Sequence, residues 1–146
     1  MEEVLNCLIK PTMNLTFSSS QILLYGIAIA AGLVYLPYIL VAYGRLSVGY
    51  DVNAPRAMFD RLPDYAKRAT WAHQNSFEVF ALFVGAALTT YVSNVASDQT
   101  SLYVFVFLAA RFLFSLFYIL DLPWLRSPMW AISMVCIGGL FSASLL

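Results

Sequence analysis

An all-α, integral-membrane bundle of four helices is what this chain predicts, and three observations carry the expectation. The first is composition. Of 146 residues, 61% are hydrophobic and only 11% charged, whereas soluble domains are about half apolar and a quarter charged. A soluble domain of this size could not bury so much apolar surface. The second is segmentation: apolar stretches fall at about 21–43, 69–92, 101–120 and 128–146, each near the ~20 residues that span a hydrocarbon core. The third is the polarity of what separates them. Backbone inside lipid must satisfy its own hydrogen bonds, so spans of this kind are helices.

In chain order, residues 1–20 form an N-terminal extension and 21–146 a single four-span domain. Glu2 and Glu3 stand where a signal peptide has basic residues, and Lys10, Pro11 and a serine cluster interrupt the apolar run, so a cleaved leader is not expected. Pro37 lies inside the first span and predicts a kink there, which neighbouring helices can accommodate. The connection 44–67 is long and polar, with Gly44, Gly49, Pro55 and Pro63 as breakers. The second connection, SNVASDQT, has no basic residue, and the third, DLPWLRSP, carries Arg126.

Orientation follows from the cations. Arg45, Arg56, Arg61, Lys67 and Arg68 cluster around the first connection, which the positive-inside rule places in the cytoplasm with both termini outside. Trp124 and Trp130 flank the third turn, as an interfacial aromatic belt would. Net charge is zero, so no bulk field recruits nucleic acid. Cys7 and Cys136 match no metal or redox spacing, and a single histidine excludes a multi-His metal site.

The functional signal is charge within the spans. An ionisable side chain at mid-membrane usually faces the bundle interior and finds a partner. Glu78 lies ten positions beyond Arg68, ~15 Å deeper at 1.5 Å per residue, and Arg111 sits near the middle of the third span. The two are expected to pair, within one subunit or across a subunit contact. Arg68, Trp71, Asn75 and Glu78 follow one another at three, four and three residues, and Arg111, Ser115 and Tyr118 at four and three, so each set marks one helix face. With Arg126 arriving at the start of the fourth helix, these residues predict a polar shaft, cationic at its mouth and floored by the Glu78–Arg111 pair.

Forked guanidinium donors, the Asn75 amide and the Tyr118 hydroxyl suit a small water-soluble anion with peptide-like groups. A thiol held near Arg126 would favour its thiolate, and an apolar co-substrate could enter from the lipid. A lipid headgroup fits the same cations. His73 lies roughly 160° around the helix from Asn75 at 100° per residue and reads as a packing or interfacial residue. Trp71, Phe77, Phe80 and Phe83 read as packing, and Arg45, Arg61 and Lys67 as topology signals.

Two blocks resemble the MAPEG superfamily, membrane-associated proteins in eicosanoid and glutathione metabolism. RATWAHQNSFEVFALF, residues 68–83, is similar to its second-helix signature, with the matching positions at Arg68, Ala72, His73, Asn75 and Glu78. RFLFSLFYILDLPWLRSPMW, residues 111–130, resembles its third-helix arginine, the tyrosine seven residues on, and the Pro-containing turn with Arg-Ser. Ala54–Pro55–Arg56 resembles the Asn-Pro-Arg of the bacterial branch, which implies a bacterial inner membrane with the 44–67 loop cytoplasmic. The resemblance covers about 21–146. It implies a homotrimer binding glutathione as co-substrate between neighbouring subunits, without a metal. Arg126 would then activate the thiol, and Arg68, Asn75, Glu78, Arg111 and Tyr118 would bind or support the ligand.

The activity so implied is a glutathione-dependent transferase or peroxidase acting on lipophilic electrophiles or lipid hydroperoxides. Two departures, Trp71 where eukaryotic members have a second arginine and Phe114 where a tyrosine is common, keep open a non-catalytic member that binds lipid or presents a partner protein.

Overall fold

The computed structural model describes residues 17–145; the N-terminal extension therefore lies largely outside the described residues. Four helices follow one another, α1 (Ser19–Ser47), α2 (Asp64–Val92), α3 (Asp98–Ile119) and α4 (Pro123–Leu145), with a short 3-10 turn, Phe59–Arg61, in the first connection. All four are long and apolar enough to cross a bilayer, and the fold is the four-helix membrane bundle the sequence predicts.

Each helix end has a local cause. Ser18 caps α1 in a capping box with Gln21, and Ser97 caps α3 in the same way with Thr100. The pairing satisfies backbone amides that have no intrahelical partner. α2 starts at Asp64, five residues before the apolar run expected from 69. Pro63 stands at its N-cap and Asp64 supplies an acid in the first turn, where the helix dipole favours negative charge.

α2 and α3 both stop on a residue in the left-handed region, Asn94 (φ 56°) and Asp121 (φ 60°). The amides of Val95 and Leu122 reach back to the carbonyls of Thr90 and Phe117, the pattern that closes a helix C-terminus. α4 begins at Pro123, ahead of the expected 128, with Pro128 inside it. The carbonyl that Pro128 cannot bond belongs to Trp124, which is 90% exposed, so water or headgroups can satisfy it. α1 likewise runs through Pro37, leaving the Leu33 carbonyl without an amide from position 37.

α2 and α3 occupy the centre, since α1 and α4 each pack on both of them. Close approach relies on small residues, as is usual where lipid supplies no hydrophobic drive between helices. A Cβ at Gly26 would collide with Val104 of α3, and one at Gly44 would come within 2.5 Å of the Ala66 Cβ on α2. The apolar core lies toward the end of the bundle away from the long connection. There Phe83 stacks on Phe107 with centroids 3.9 Å apart, among Leu23, Ala86, Ala87, Val104, Ile137 and Leu140. Toward the long connection the interior becomes polar.

Candidate functional site

At that polar end α2, α3 and α4 enclose a cleft of about 260 Å³, lined by Asn75, Phe114, Tyr118, Arg126, Ser127 and Trp130. Three of the expected site residues, Asn75, Tyr118 and Arg126, therefore meet. α4 brings Arg126 in on its first turn, and the guanidinium carbon stands 4.2 Å from the centroid of the Tyr118 ring, within cation–π range. The ring holds the cation at the mouth of the cleft. No acid lies among the lining residues.

Arg111 sits behind Asn75, only 4% exposed. Its Nη2 donates to Asn75 Oδ1 at 3.2 Å and to Ser76 Oγ at 2.9 Å, and its guanidinium carbon lies 4.2 Å from the Phe114 ring centroid. Arginine has donors and no acceptor, so the Asn75 atom that faces it must be the oxygen. The Asn75 amide nitrogen is thereby left for the cleft. With Arg126 and the Tyr118 hydroxyl it makes a wall dominated by donors, which suits a ligand carrying carboxylates or other acceptors, while the Ser127 hydroxyl donates to the Pro123 carbonyl.

The expected Glu78–Arg111 pair does not form within the chain. Arg111 meets α2 at residues 75 and 76, within one turn of the depth expected from Glu78, but Glu78 itself points elsewhere. Ser76 is the residue turned to α3, and Glu78, two positions on, is rotated by roughly 200° from it. In place of the expected pair, a guanidinium held by an amide and a hydroxyl stands behind Asn75. Glu78 is exposed and lines a second, larger cleft of about 790 Å³ bounded by α1, the long connection and α2, together with Tyr38, Arg45, Arg56, His73 and Gln74.

Arg68 is also outside the first cleft. Its Nε donates to the Ile119 carbonyl at 2.9 Å, and its Nη1 lies 3.6 Å from Asp121 Oδ2, the one ion pair among the described residues. A cation on the last carbonyls of a helix is a cap, so Arg68 fixes the end of α3 at Ile119, the residue after Tyr118. Ser115, expected beside Tyr118, is buried against an apolar groove with Pro37 and Leu40.

Several contributors escaped the sequence reading. Ser76 and Ser127 are ordinary small polar residues by composition. Trp130 reads as an interfacial aromatic and yet closes the cleft. Arg45, which reads as a topology signal in the sequence, donates to the Tyr38 hydroxyl at 3.2 Å in the second cleft. His73 packs as expected, its Nδ1 2.7 Å from the Val34 carbonyl and its ring beside Tyr35, Tyr38 and Phe77. Of the aromatics read as packing, Phe83 is buried, whereas Trp71 and Phe77 are 43% and 52% exposed. Trp71 touches only Phe59 among the aromatic rings of the described residues.

The class of protein is therefore a multi-pass, all-helical membrane protein with a donor-rich intramembrane cleft. A family model, the MAPEG family, matches residues 22–146, and the chain belongs to that family. Comparisons with curated proteins and with solved structures found no match.

Proposed function

We propose that this chain is a membrane-bound, glutathione-dependent transferase or peroxidase acting on lipophilic electrophiles or lipid hydroperoxides. The observation that carries the reading is the placement of Arg126: a cation braced on the Tyr118 ring at the mouth of an acid-free cleft whose inner wall is the Asn75 amide nitrogen. Glutathione brings two carboxylates for such donors, peptide groups for Asn75, and a thiol. Near Arg126 the thiolate gains a charge-assisted contact that the thiol does not, so its pKa falls. The thiolate sulfur then attacks an electrophilic carbon, whose leaving group departs with the bonding pair. With a hydroperoxide it attacks the terminal oxygen, the O–O bond breaks, and the alkoxide takes a proton to become the alcohol. A second glutathione converts the sulfenic acid to the disulfide and water. The lipid supplies the co-substrate.

The working form in this reading is a homotrimer. α2 carries polar residues on two sides, Asn75 toward one cleft and His73, Gln74 and Glu78 toward the other. Two different faces meeting head to tail is what a closed ring of identical subunits requires. Glu78 then faces a neighbour and remains available to a cross-subunit partner. The five cations at residues 45–68 support a cytoplasmic position for that end, in a bacterial inner membrane.

The test is glutathione titration of the purified, folded protein, followed by thiolate absorbance and turnover of a chromogenic electrophile. Binding with thiolate formation that is lost in Arg126→Ala is the expected result; no thiolate and no turnover in folded wild type removes the enzymatic reading. A second reading, a non-catalytic lipid-binding or partner-presenting member, is favoured by one feature. An apolar groove of about 270 Å³ opens between α1 and α3, lined by Leu36, Pro37, Leu40, Phe112 and Leu116 among others. Native mass spectrometry showing retained lipid and no glutathione would select it.

A further inference from the structure

Behind Asn75, where α1, α2 and α3 meet, is a small space distinct from both clefts. Ala30, Leu33 and Val34 of α1, Ser76 and Phe80 of α2, and Phe107 and Arg111 of α3 surround it, and its volume is about 10 Å³. That is room for roughly one water molecule. Most of the wall is apolar, but three of the residues around it carry polar groups that bear on it.

The first is Arg111. Its Nη2 is spent on Asn75 and Ser76, while Nη1 is fully buried and has no hydrogen-bond partner among the described residues. A buried guanidinium nitrogen without a partner is costly in any protein, and more so at a depth where no bulk water reaches. The second is Leu33, a lining residue whose carbonyl Pro37 deprives of its helical amide. The third is the Ser76 hydroxyl, which accepts from Arg111 and still has its own proton to give.

We propose that this cavity is a binding site for one ordered water molecule, which accepts hydrogen bonds from Arg111 Nη1 and the Ser76 hydroxyl and donates one to the Leu33 carbonyl. Buried waters typically make about three hydrogen bonds to groups otherwise unsatisfied, and this site supplies both kinds. A halide ion is the competing occupant, since the cation invites one. A halide only accepts, however, and it would lie against the Leu33 carbonyl oxygen in a space sized for water. The water ties the proline-interrupted turn of α1 to the arginine that orients Asn75, so it is a positioning element for the cleft, whatever ligand the cleft takes.

The experiment has two arms on the full chain, the first by X-ray diffraction from crystals grown in a lipidic mesophase. A density map of wild type at water-resolving quality is expected to show one peak within hydrogen-bonding distance of Arg111 Nη1; a map without it overturns the assignment. A repeat with bromide as the only halide is expected to show no anomalous signal there, and a signal would replace the water with an anion. In the second arm, Ala30→Val directs extra methyl groups into the cavity. If the water is present it is expelled, Nη1 is stranded, and the unfolding temperature falls by about 5 °C. A dry cavity gives the opposite sign, because filling an apolar void stabilises, and an unchanged or raised temperature therefore counts against the proposal. Should the variant fail to fold, the wild-type map and the bromide data decide the matter.

Discussion

The two ends of this bundle solve the same problem with different materials. Toward the 93–97 turn, Phe83 stacks on Phe107 in near-parallel planes, 5° apart, with Ala86, Ala87 and Leu140 buried around them. Its polar groups are few and bond to backbone carbonyls: the Thr90 hydroxyl lies 2.9 Å from the Ala86 carbonyl and 3.1 Å from that of Leu140 on α4. Toward the long connection, the interior is held by Arg111 on Asn75 and Ser76, by Arg126 on Tyr118, and by Arg68 on the end of α3. Lipid tails are as apolar as leucine, so helix association gains nothing from hydrophobicity alone. One end is specified by shape, the other by which donor finds which acceptor. Shape fixes stability, and donor placement fixes what the cleft can bind.

The largest effect should come from breaking the shaped end. Phe83→Ala removes a wholly buried ring from the stack, at a cost of ~3 kcal/mol or more, read by detergent titration in mixed micelles. The fraction that remains folded should bind glutathione with wild-type affinity. A collapse of binding in fully folded Phe83→Ala protein would show that the two ends are not separable.

Breaking the polar end should do the reverse. Arg126→Ala is expected to cost ~1.5–3 kcal/mol of glutathione affinity, a loss of ~10–150-fold, with little change in stability because Arg126 lies at the cleft mouth. Removing the cation also raises the pKa of the bound thiol toward its free value. Turnover that depends on the thiolate should then be lost at the lower end of the pH range first, so the rising limb of the pH profile moves to higher pH. Arg126→Lys, which keeps the charge and loses the planar fork, should recover the pH profile better than the affinity. An unshifted profile in Arg126→Ala would separate this residue from thiol activation.

The sequence exposed the fold more fully than the site, and particular residues show why. Four spans and polar connections follow from composition and segment length, which do not depend on what a helix touches. Depth is nearly as accessible, because rise per residue is fixed: it puts Arg111 level with Glu78, and Arg111 meets α2 at residues 75 and 76, within one helical turn of that level. Azimuth is harder. The run from Arg68 to Glu78 at three, four and three residues drifts by roughly 80° at 100° per residue. That drift is enough to carry Glu78 out of the stripe facing α3 and into the second cleft, while Ser76, unremarkable by composition, takes its place. Nor can a cation's role be read from its type: Arg68 lies inside the signature block and spends its fork on a helix end.

Arg68 allows the comparison to be sharpened, because it belongs to the polar end and yet acts on structure. Arg68→Met keeps much of the aliphatic stem and deletes the bond to the Ile119 carbonyl. Loss of about 1 kcal/mol of stability is expected, with glutathione affinity changed by less than about threefold, under 1 kcal/mol. A drop in affinity comparable to that of Arg126→Ala would return Arg68 to the ligand-binding set that the family resemblance implies.

The smallest effect should be that of its ionic partner. Asp121 lies 3.6 Å from Arg68 Nη1 with its side chain 71% exposed, and ion pairs so open to solvent contribute ~0–1 kcal/mol. Asp121 also sits in the left-handed region that ends α3, a conformation that asparagine adopts as readily as aspartate. Asp121→Asn therefore removes the charge while keeping the turn, and stability should change by less than about 0.5 kcal/mol, with whatever change there is vanishing in high salt. If instead Asp121→Asn destabilised the protein as much as Arg68→Met and did so at any salt concentration, the carboxylate would be holding the guanidinium on the Ile119 carbonyl. The cap and the ion pair would then be one cooperative unit rather than a strong contact beside a weak one.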